Sequence, residues 1–288
     1  MITGANGQLG SDLNDVLSSG GSKIIALTHQ DADLADSKKI IALVNEYQPN
    51  IFINTAAFHH VDQCEADMEK AMLINATAPA LIAGICKERN ITFIHFSTDY
   101  VFDGEKAEPY VETDTAHPLN NYGISKRKGE EAILLINPNA IIIRVSAIYG
   151  KSPCRAKNGL NFVQLMLKKA SENADLKVVD DEIVSPTSTE SIANCVFELL
   201  NKNLSGIIHM TSEGSCSWYE FAQEIFNYAK TPAKLAAAKS IDFPAKTQRP
   251  KYSVLENEVL KKNDLNFMPH WKTALHLYLD QYLVQNSN

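Results

Sequence analysis

Residues Thr3 to Gly10 read Thr-Gly-Ala-Asn-Gly-Gln-Leu-Gly, a Gly-x-x-Gly-x-x-Gly turn that runs into a helical pattern from Gln8 to about Ser19. No other stretch constrains the fold as strongly. Glycines at 4, 7 and 10 allow a tight turn and close backbone approach. The helix start then offers free N–H groups and a positive dipole end to a pyrophosphate. An apolar strand (Lys23 to Leu27), a helix (Ser37 to Tyr47) and another apolar strand (Ile51 to Asn54) follow. This alternation predicts a β-α-β-α-β run of dinucleotide-binding character in a parallel sheet. Only Met1-Ile2-Thr3 precede the first glycine, fewer than the ~5–6 residues of a typical strand. The expectation is therefore a stub strand or a natural start further upstream.

The loop Thr55 to His59 has small residues at Ala56 and Ala57. Two readings stay open for it: approach of a cofactor ribose, or a plain strand exit. A long helical segment, Met68 to Arg89, carries Pro79, which is expected to kink or break it. Residues 91–97 predict the next strand and 119–136 a helix. Ala140 to Val145 is apolar throughout, apart from Arg144, and suits a strand buried on both faces. After Gly150 the rhythm changes. Helices are expected at Asn161 to Glu172, from a cap at Thr187 or Ser188 to about Asn201, at Trp218 to Ala229, and from near Trp271. Short strands are expected at Lys177 to Val179 and Gly206 to Met210.

The predicted fold class is α/β: a Rossmann-type doubly wound parallel sheet with a smaller C-terminal α/β substrate domain. Residues 1–150 are expected to form the dinucleotide-binding domain, also receiving segments from about 176–210. Residues 151–288 mainly form the substrate domain, interleaved with the first and closing over the strand ends, where ligands bind in such sheets.

Chemistry concentrates between Phe96 and Glu130. The strand ends in Ser97, Thr98 and Asp99, and Tyr122 and Lys126 follow on the predicted helix, one turn apart on the same face. A free phenol titrates near ~10. An adjacent ammonium favours the phenolate and is expected to bring that value toward neutrality, giving an acid–base group.

Composition removes several alternatives. The chain has 288 residues, is 45% hydrophobic and 21% charged, and carries a net charge of −7 without a basic stripe. Nucleic acid is not an expected partner. Apolar runs such as Ala140 to Ile143 are far too short for a membrane span. Five cysteines, at 64, 86, 154, 195 and 216, form no Cys-x-x-Cys pair, and reduced thiols in a cytoplasm are expected. His59, His60 and Cys64 lack a second ligand cluster at closed-site spacing, so no metal is expected.

The motifs together carry a resemblance across nearly the whole chain. They are the Thr3–Gly10 turn, Val61-Asp62-Gln63 with Glu65, Ser97 to Gly104, Pro109-Tyr110 with Glu112 and Asp114, and Tyr122-Gly123 with Ser125-Lys126 and Gly129-Glu130. Ser185-Pro186-Thr187, Trp218-Tyr219 and Arg249-Pro250 with Ser253 and Leu255 complete the set. In these the sequence resembles the extended short-chain dehydrogenases/reductases, and among them the dTDP-4-dehydrorhamnose reductases. The resemblance implies NAD(P)H-dependent reduction of the 4-keto group of a dTDP-linked 6-deoxyhexose. Thr98, Tyr122 and Lys126 would be catalytic. Gly4, Asn6, Gly7, Gln8, Leu9, Gly10, Asp33, Leu34, Ala56, Ala57, Phe58 and His59, with Tyr122 and Lys126, would bind the cofactor. Thr98, Asp99, Tyr100, Phe102, Ala147 and Arg249 would meet the substrate, with Arg249 on the nucleotide phosphates.

Departures fall in the substrate half. Where the family commonly has a Trp that packs on the sugar, this chain has Ala147, which leaves Phe102, Tyr149 and Trp218 as aromatic candidates. Val184 and Ser185 stand where Gly is frequent. Glu190 matches one position of a magnesium-linked dimer seen in some members, without a full set; a homodimer is an expectation from the resemblance alone. Thr28-His29-Gln30 supplies neither a carboxylate for a ribose 2′-hydroxyl nor an Arg for a 2′-phosphate, and the missing carboxylate favours NADPH over NADH. A related nucleotide-sugar epimerase or dehydratase, and a non-catalytic regulatory subunit resembling that of methionine adenosyltransferase, are the competing readings.

Overall fold

The glycine turn lies where the winding of a parallel sheet reverses. The computed structural model describes residues 1–154, 159–243 and 247–286. The first half alternates β1 (Ile2–Thr3), α1 (Gln8–Ser19), β2 (Ala26–Leu27), α2 (Ser37–Tyr47) and β3 (Ile51–Asn54). Then come α3 (Val61–Ala66), α4 (Met68–Met72), α5 (Ala78–Glu88), β4 (Thr92–Thr98), α6 (Asn121–Ile136) and β5 (Ile141–Val145). The second half holds β6 (Ile148–Tyr149), α7 (Phe162–Ser171), β7 (Asp175–Val179), β8 (Ile183–Val184), β9 (Thr187–Ser188), α8 (Thr189–Leu199) and β10 (Gly206–His209). It ends with β11 (Cys216–Ser217), α9 (Trp218–Ala229), β12 (Lys234–Ala238), α10 (Glu258–Lys262) and α11 (Trp271–Asn286).

Six strands form the main sheet in the order β10-β5-β4-β3-β1-β2, every pair parallel. Chain order reverses between β1 and β3, so the crevice outside their carboxyl ends is the place for a ligand. Helices cover both faces. On one, Leu9, Leu13 and Leu17 of α1 pack with Ile192, Val196 and Leu199 of α8 against Ile94, Ile141 and Ile143. On the other, Ile40 and Val44 of α2 and Ile82 and Cys86 of α5 pack on Phe52, Phe93 and Ile142. A separate core joins α7, α9 and α11 through Val163, Phe221, Ile225, Trp271 and Leu275. Among the described residues no helix is long and apolar enough to cross a membrane.

Several boundaries differ from the sequence expectation. The strand expected from Lys23 is paired only over Ala26–Leu27. The long helix does not simply kink at Pro79. Residues Leu73–Thr77 form a π turn, and Pro79 sits in the first turn of α5, where its missing N–H costs little. Such turns recur at functional sites, and this one carries Asn75. Ser188 does occupy the cap position of α8, but its side chain makes no capping bond.

Candidate active site

Two glycines make the first turn of the site possible. Gly4 has φ +72°, and a Cβ there would stand 2.7 Å from Thr55 Oγ1 and 2.9 Å from the Ala56 nitrogen. A Cβ on Gly10 would lie 2.2 Å from the Gly4 carbonyl oxygen. The turn is thus folded onto both itself and the end of β3. Gly7 caps α1 in extended conformation without a side-chain bond, so the N–H groups of the first helical turn stay available to an anion. Gln8 ties this turn to the segment after β6 by accepting from the Gly150 N–H at 3.0 Å.

A cavity of about 490 Å³ opens beside it, within the usual range of small-molecule sites. Gly7, Gln8, Leu9 and Gly10 border it on one side and Ala57 and His59 on another. Thr98, Asp99, Tyr100, Tyr122, Lys126, Ala147 and Arg249 all reach the same space. β4 delivers Thr98 and Asp99 at its carboxyl end, where a short 3₁₀ turn, Asp99–Val101, stops the strand. Asn120 caps α6 by accepting from the Gly123 N–H at 2.9 Å, which places Tyr122 in the first turn and Lys126 one turn on.

The surroundings of these groups are polar and buried. The Asp99 carboxylate accepts from the Thr98 hydroxyl at 3.0 Å and from the Ser146 and Ser253 hydroxyls at 2.9 and 2.6 Å. Burial raises its pKa, and the three hydroxyls pull it back. Tyr100 stands edge-on to Tyr122, ring centres 5.8 Å apart. Glu182, its pKa raised by burial, lies near Arg249 and Trp218 and opposes the exposed guanidinium at the cavity rim.

The expected electrostatics of the Tyr–Lys pair need correction. Burial pushes the Tyr122 phenol well above its ordinary value, with Thr98 opposing, and Lys126 is not among the groups that act on it. Lys126 Nζ instead donates to the Phe96 carbonyl at 2.6 Å and lies 3.0 Å from His95 Nε2. Its own pKa falls to about 8, chiefly through burial.

Other expected residues lie apart from the cavity. Phe102 is fully buried beneath it, stacked on Tyr110 at 4.1 Å and covered by the Arg144 guanidinium at 5.0 Å. The 3₁₀ turn carries its side chain inward, so it does not line the substrate space. Asp33 bonds to the Ala35 N–H, and Leu34 is buried in the core under α2. Asn6 is exposed beside the turn, and Ala56 packs on the same core as Leu34. Phe58 offers its backbone to Asn75, whose amide accepts from its N–H at 2.9 Å and donates to its carbonyl at 2.8 Å. Asn75 also donates to Ser125 at 3.0 Å, which fixes the loop before α3 against α6. Glu190 pairs with Lys151 at 3.5 Å. Cys64 is buried and donates to the Phe58 carbonyl.

Beside two of the aromatic candidates, Tyr149 and Trp218, the cavity also contains residues that the motifs left unassigned, Phe162 and Phe221. Phe162 meets Trp218 with ring centres 4.7 Å apart, and Tyr149 and Phe221 complete an aromatic wall in the same cavity as Ala147. Asn161 and Asp62 are added to the lining. Asp62 accepts from Thr247 at 2.9 Å. A capping box, Asn161 with Gln164, was the available signal for Phe162 at the head of α7.

A doubly wound sheet with its glycine turn at the crevice, and a Tyr–Lys pair with a strand-end hydroxyl in that crevice, define a dinucleotide-dependent oxidoreductase of the extended short-chain dehydrogenase/reductase class. Comparison with known proteins narrows this. The family model described as the RmlD substrate binding domain matches residues 1–284. The spore coat polysaccharide biosynthesis protein SpsK of Bacillus subtilis is 39% identical over 281 residues, 98% of this chain and 96% of that one. The dTDP-4-keto-6-deoxy-D-glucose reductase of Streptomyces niveus is 33% identical, over 96% of this chain and 94% of its own. The crystal structure of dTDP-4-dehydrorhamnose reductase from Bacillus anthracis in complex with NADP superposes with a TM-score of 0.92 at 34% identity, covering 97% of this chain and 98% of that one. This chain belongs to the RmlD family, that of the dTDP-4-dehydrorhamnose reductases.

Proposed function

We propose that this chain reduces the 4-keto group of a dTDP-linked 6-deoxyhexose, with dTDP-4-dehydrorhamnose as its first substrate and NADPH or NADH as reductant. The observation that carries this reading is the convergence of Thr98, Tyr122 and Lys126 on one cavity bordered by the glycine turn. The turn fits a dinucleotide: it leaves no room for a Cβ at Gly4 or Gly10 and keeps the first N–H groups of α1 free. When bound there, the nicotinamide supplies the hydride that reaches the keto carbon.

The protein's own groups do the rest. Gly7, Gln8, Leu9 and Gly10 would hold the pyrophosphate, and Ala57 and His59, which line the same cavity, would bind the rest of the cofactor. Tyr122 gives its phenolic proton to the carbonyl oxygen, a step worth roughly 10²–10⁴-fold. A phenol held above its ordinary pKa is fully protonated at neutral pH and suits this role as an acid. Thr98 orients the carbonyl with its hydroxyl, exchanging the bond it makes to Asp99. Lys126 would hold the cofactor ribose. Arg249, at the rim, meets the nucleotide phosphates as a bidentate donor. Phe162 and Trp218 form the apolar wall against the sugar in place of the side chain that Ala147 lacks. Residues of the main sheet and its helices would hold the cofactor, and α7, α9 and the segments around them would hold the sugar.

The test is loss of reduced-nicotinamide absorbance with dTDP-4-dehydrorhamnose and with its 4-keto-6-deoxyglucose epimer, each with NADPH and NADH. Mass spectrometry of the product completes it. Turnover of dTDP-4-dehydrorhamnose with a two-hydrogen mass gain supports the reading; binding of cofactor without turnover of either sugar removes it.

A further inference from the structure

Three segments that border the cavity meet on one buried carboxylate. Asp99 Oδ1 accepts from the Thr98 hydroxyl, at the end of β4, at 3.0 Å. Its Oδ2 accepts from Ser146, beside Ala147, at 2.9 Å, and from Ser253, a few residues after Arg249, at 2.6 Å. Thr98, Asp99, Ser146 and Ser253 are each no more than 5% exposed, so they must find hydrogen-bond partners among themselves. Among the described residues the two serine hydroxyls make no other hydrogen bond. The Ser253 N–H donates to the Ile183 carbonyl at 3.0 Å, which fixes that anchor beside β8.

These contacts place the hydrogens. A serine or threonine hydroxyl has one hydrogen and two lone pairs. A protonated carboxyl would donate to one of the three hydroxyls and leave that hydroxyl's own hydrogen without an acceptor. An ionised carboxylate accepts from all three, and the bond from Ser253 has the length of an O–H···O⁻ contact, about 2.5–2.7 Å. The one Thr98 hydrogen is therefore on Asp99. One Thr98 lone pair takes the Tyr100 N–H at 3.2 Å, and one remains. Thr98 and Tyr122 border the same cavity, and Thr98 is the hydroxyl that acts on the phenol. In the free site it offers the phenol a lone pair and no hydrogen.

We propose that Asp99 is a positioning residue acting through Thr98: its carboxylate, anchored by Ser146 and Ser253, holds the Thr98 hydrogen in the free site and releases it to the carbonyl oxygen of the substrate. The inference rests on the roles given to Thr98 and Tyr122 above and deepens them. While Asp99 holds that hydrogen, the Tyr122 oxygen receives none from Thr98, and the phenol keeps its own hydrogen to give. Release costs little because Asp99 retains two hydroxyls. The groups facing Asp99 from each element agree. Burial raises its pKa, and the hydroxyls of Ser253, Ser146 and Thr98 with its own backbone N–H lower it; no charged side chain is among the groups that act on it. Tyr100, on the same turn, and Tyr122, from α6, are both phenols that burial keeps protonated.

Two measurements test this on the full chain. Carbon-13 NMR of labelled aspartate, with Asp99 assigned by its loss in Asp99→Asn, follows the carboxyl titration without any ligand. An anion at neutral pH is expected in the wild type. Thr98→Val removes one donor to that anion and should raise its midpoint by about one unit, a tenfold change in proton affinity. A protonated carboxyl at neutral pH, or a midpoint that stays or falls in Thr98→Val, overturns the proposal. The second is a double-mutant cycle in turnover. An amide at position 99 takes the Thr98 hydrogen weakly or donates into the Thr98 oxygen. Asp99→Asn should therefore lower kcat by about tenfold, within the coupling range of touching side chains, and have almost no further effect once Thr98→Val is present. An equal loss in both backgrounds means that Asp99 does not act through Thr98, and the proposal fails. Should Asp99→Asn not fold, Ser146→Ala takes its place in the cycle. With one anchor fewer the carboxylate grips the Thr98 hydrogen harder, and kcat should fall only where Thr98 is present. Because the titration needs no sugar, it decides the inference even where these sugars are not turned over.

Discussion

Arg144 and Glu130 form a doubly hydrogen-bonded ion pair inside the protein, Nε to Oε1 at 2.8 Å and Nη2 to Oε2 at 2.7 Å, with side-chain exposures of 1% and 0%. The guanidinium also covers the Phe102 ring at 5.0 Å. The pair joins β5 to α6, the helix that carries Tyr122 and Lys126. Removing one partner leaves a buried charge uncompensated. Arg144→Met should therefore cost about 3–5 kcal/mol in denaturant unfolding, and Glu130→Gln should fall in the same direction. A loss under 1 kcal/mol in both would mean that the pair is dispensable to α6.

Tyr122→Phe removes one oxygen and leaves the ring edge-on to Tyr100. We expect kcat to fall by at least about 10²-fold, the low end of the general-acid range, with cofactor affinity by fluorescence titration unchanged. Near-native turnover would assign the proton to another group.

Under the proposed function, the aromatic wall is the surface against the sugar. Trp218 meets Phe162 at 4.7 Å in the cavity that Ala147 also lines. Trp218→Ala should raise KM by 1–3 kcal/mol's worth, about 5- to 150-fold, the scale of uncovering a large apolar side chain. Its kcat should change much less. A changed kcat at constant KM would place the indole on the reacting carbon instead of along the ring.

Lys126 gives a linkage signature. Its folded pKa, about 8, lies below the ordinary 10.5. Between those values the unfolded chain binds the proton more readily, so the stability of the folded protein rises with pH across that window and carries the full cost below it. Compared with Lys126→Met, the wild type should gain about 3 kcal/mol between pH 7 and pH 10.5, read from urea unfolding at each pH. A constant difference would mean that the lysine is charged and solvated in the folded state.

Much of this was legible in the sequence because it was local. The glycine turn, the hydroxyl-rich end of β4 and the Tyr122–Lys126 spacing each depend on residues close in the chain, and each lies where the pattern predicts. Long-range contacts were not legible. Phe102 follows the same motif, but the turn Asp99–Val101 rotates it under Tyr110, a contact that no periodicity encodes. Phe162 reaches the cavity only because α7 and α9 pack together. The partner of Lys126 depends on which residue of β4 faces α6 and which faces β3. An ammonium one turn from a phenol reads as a pair in the sequence, while in the structure the lysine's polar partners are His95 and the Phe96 carbonyl.

The edge strand β10 pairs with β5, although about 60 residues carrying β6, α7, β7, β8, β9 and α8 separate them in the chain. A fragment ending near Gly150 would leave the ladder of Ile141, Ile142 and Ile143 unpaired on one side and strip α8 from Leu13 and Leu17 of α1. Such an open, apolar edge recruits other chains. On the ribosome, the cofactor half therefore stays unfinished until His209 has emerged, and a nascent chain stalled before that point is the form most exposed to aggregation.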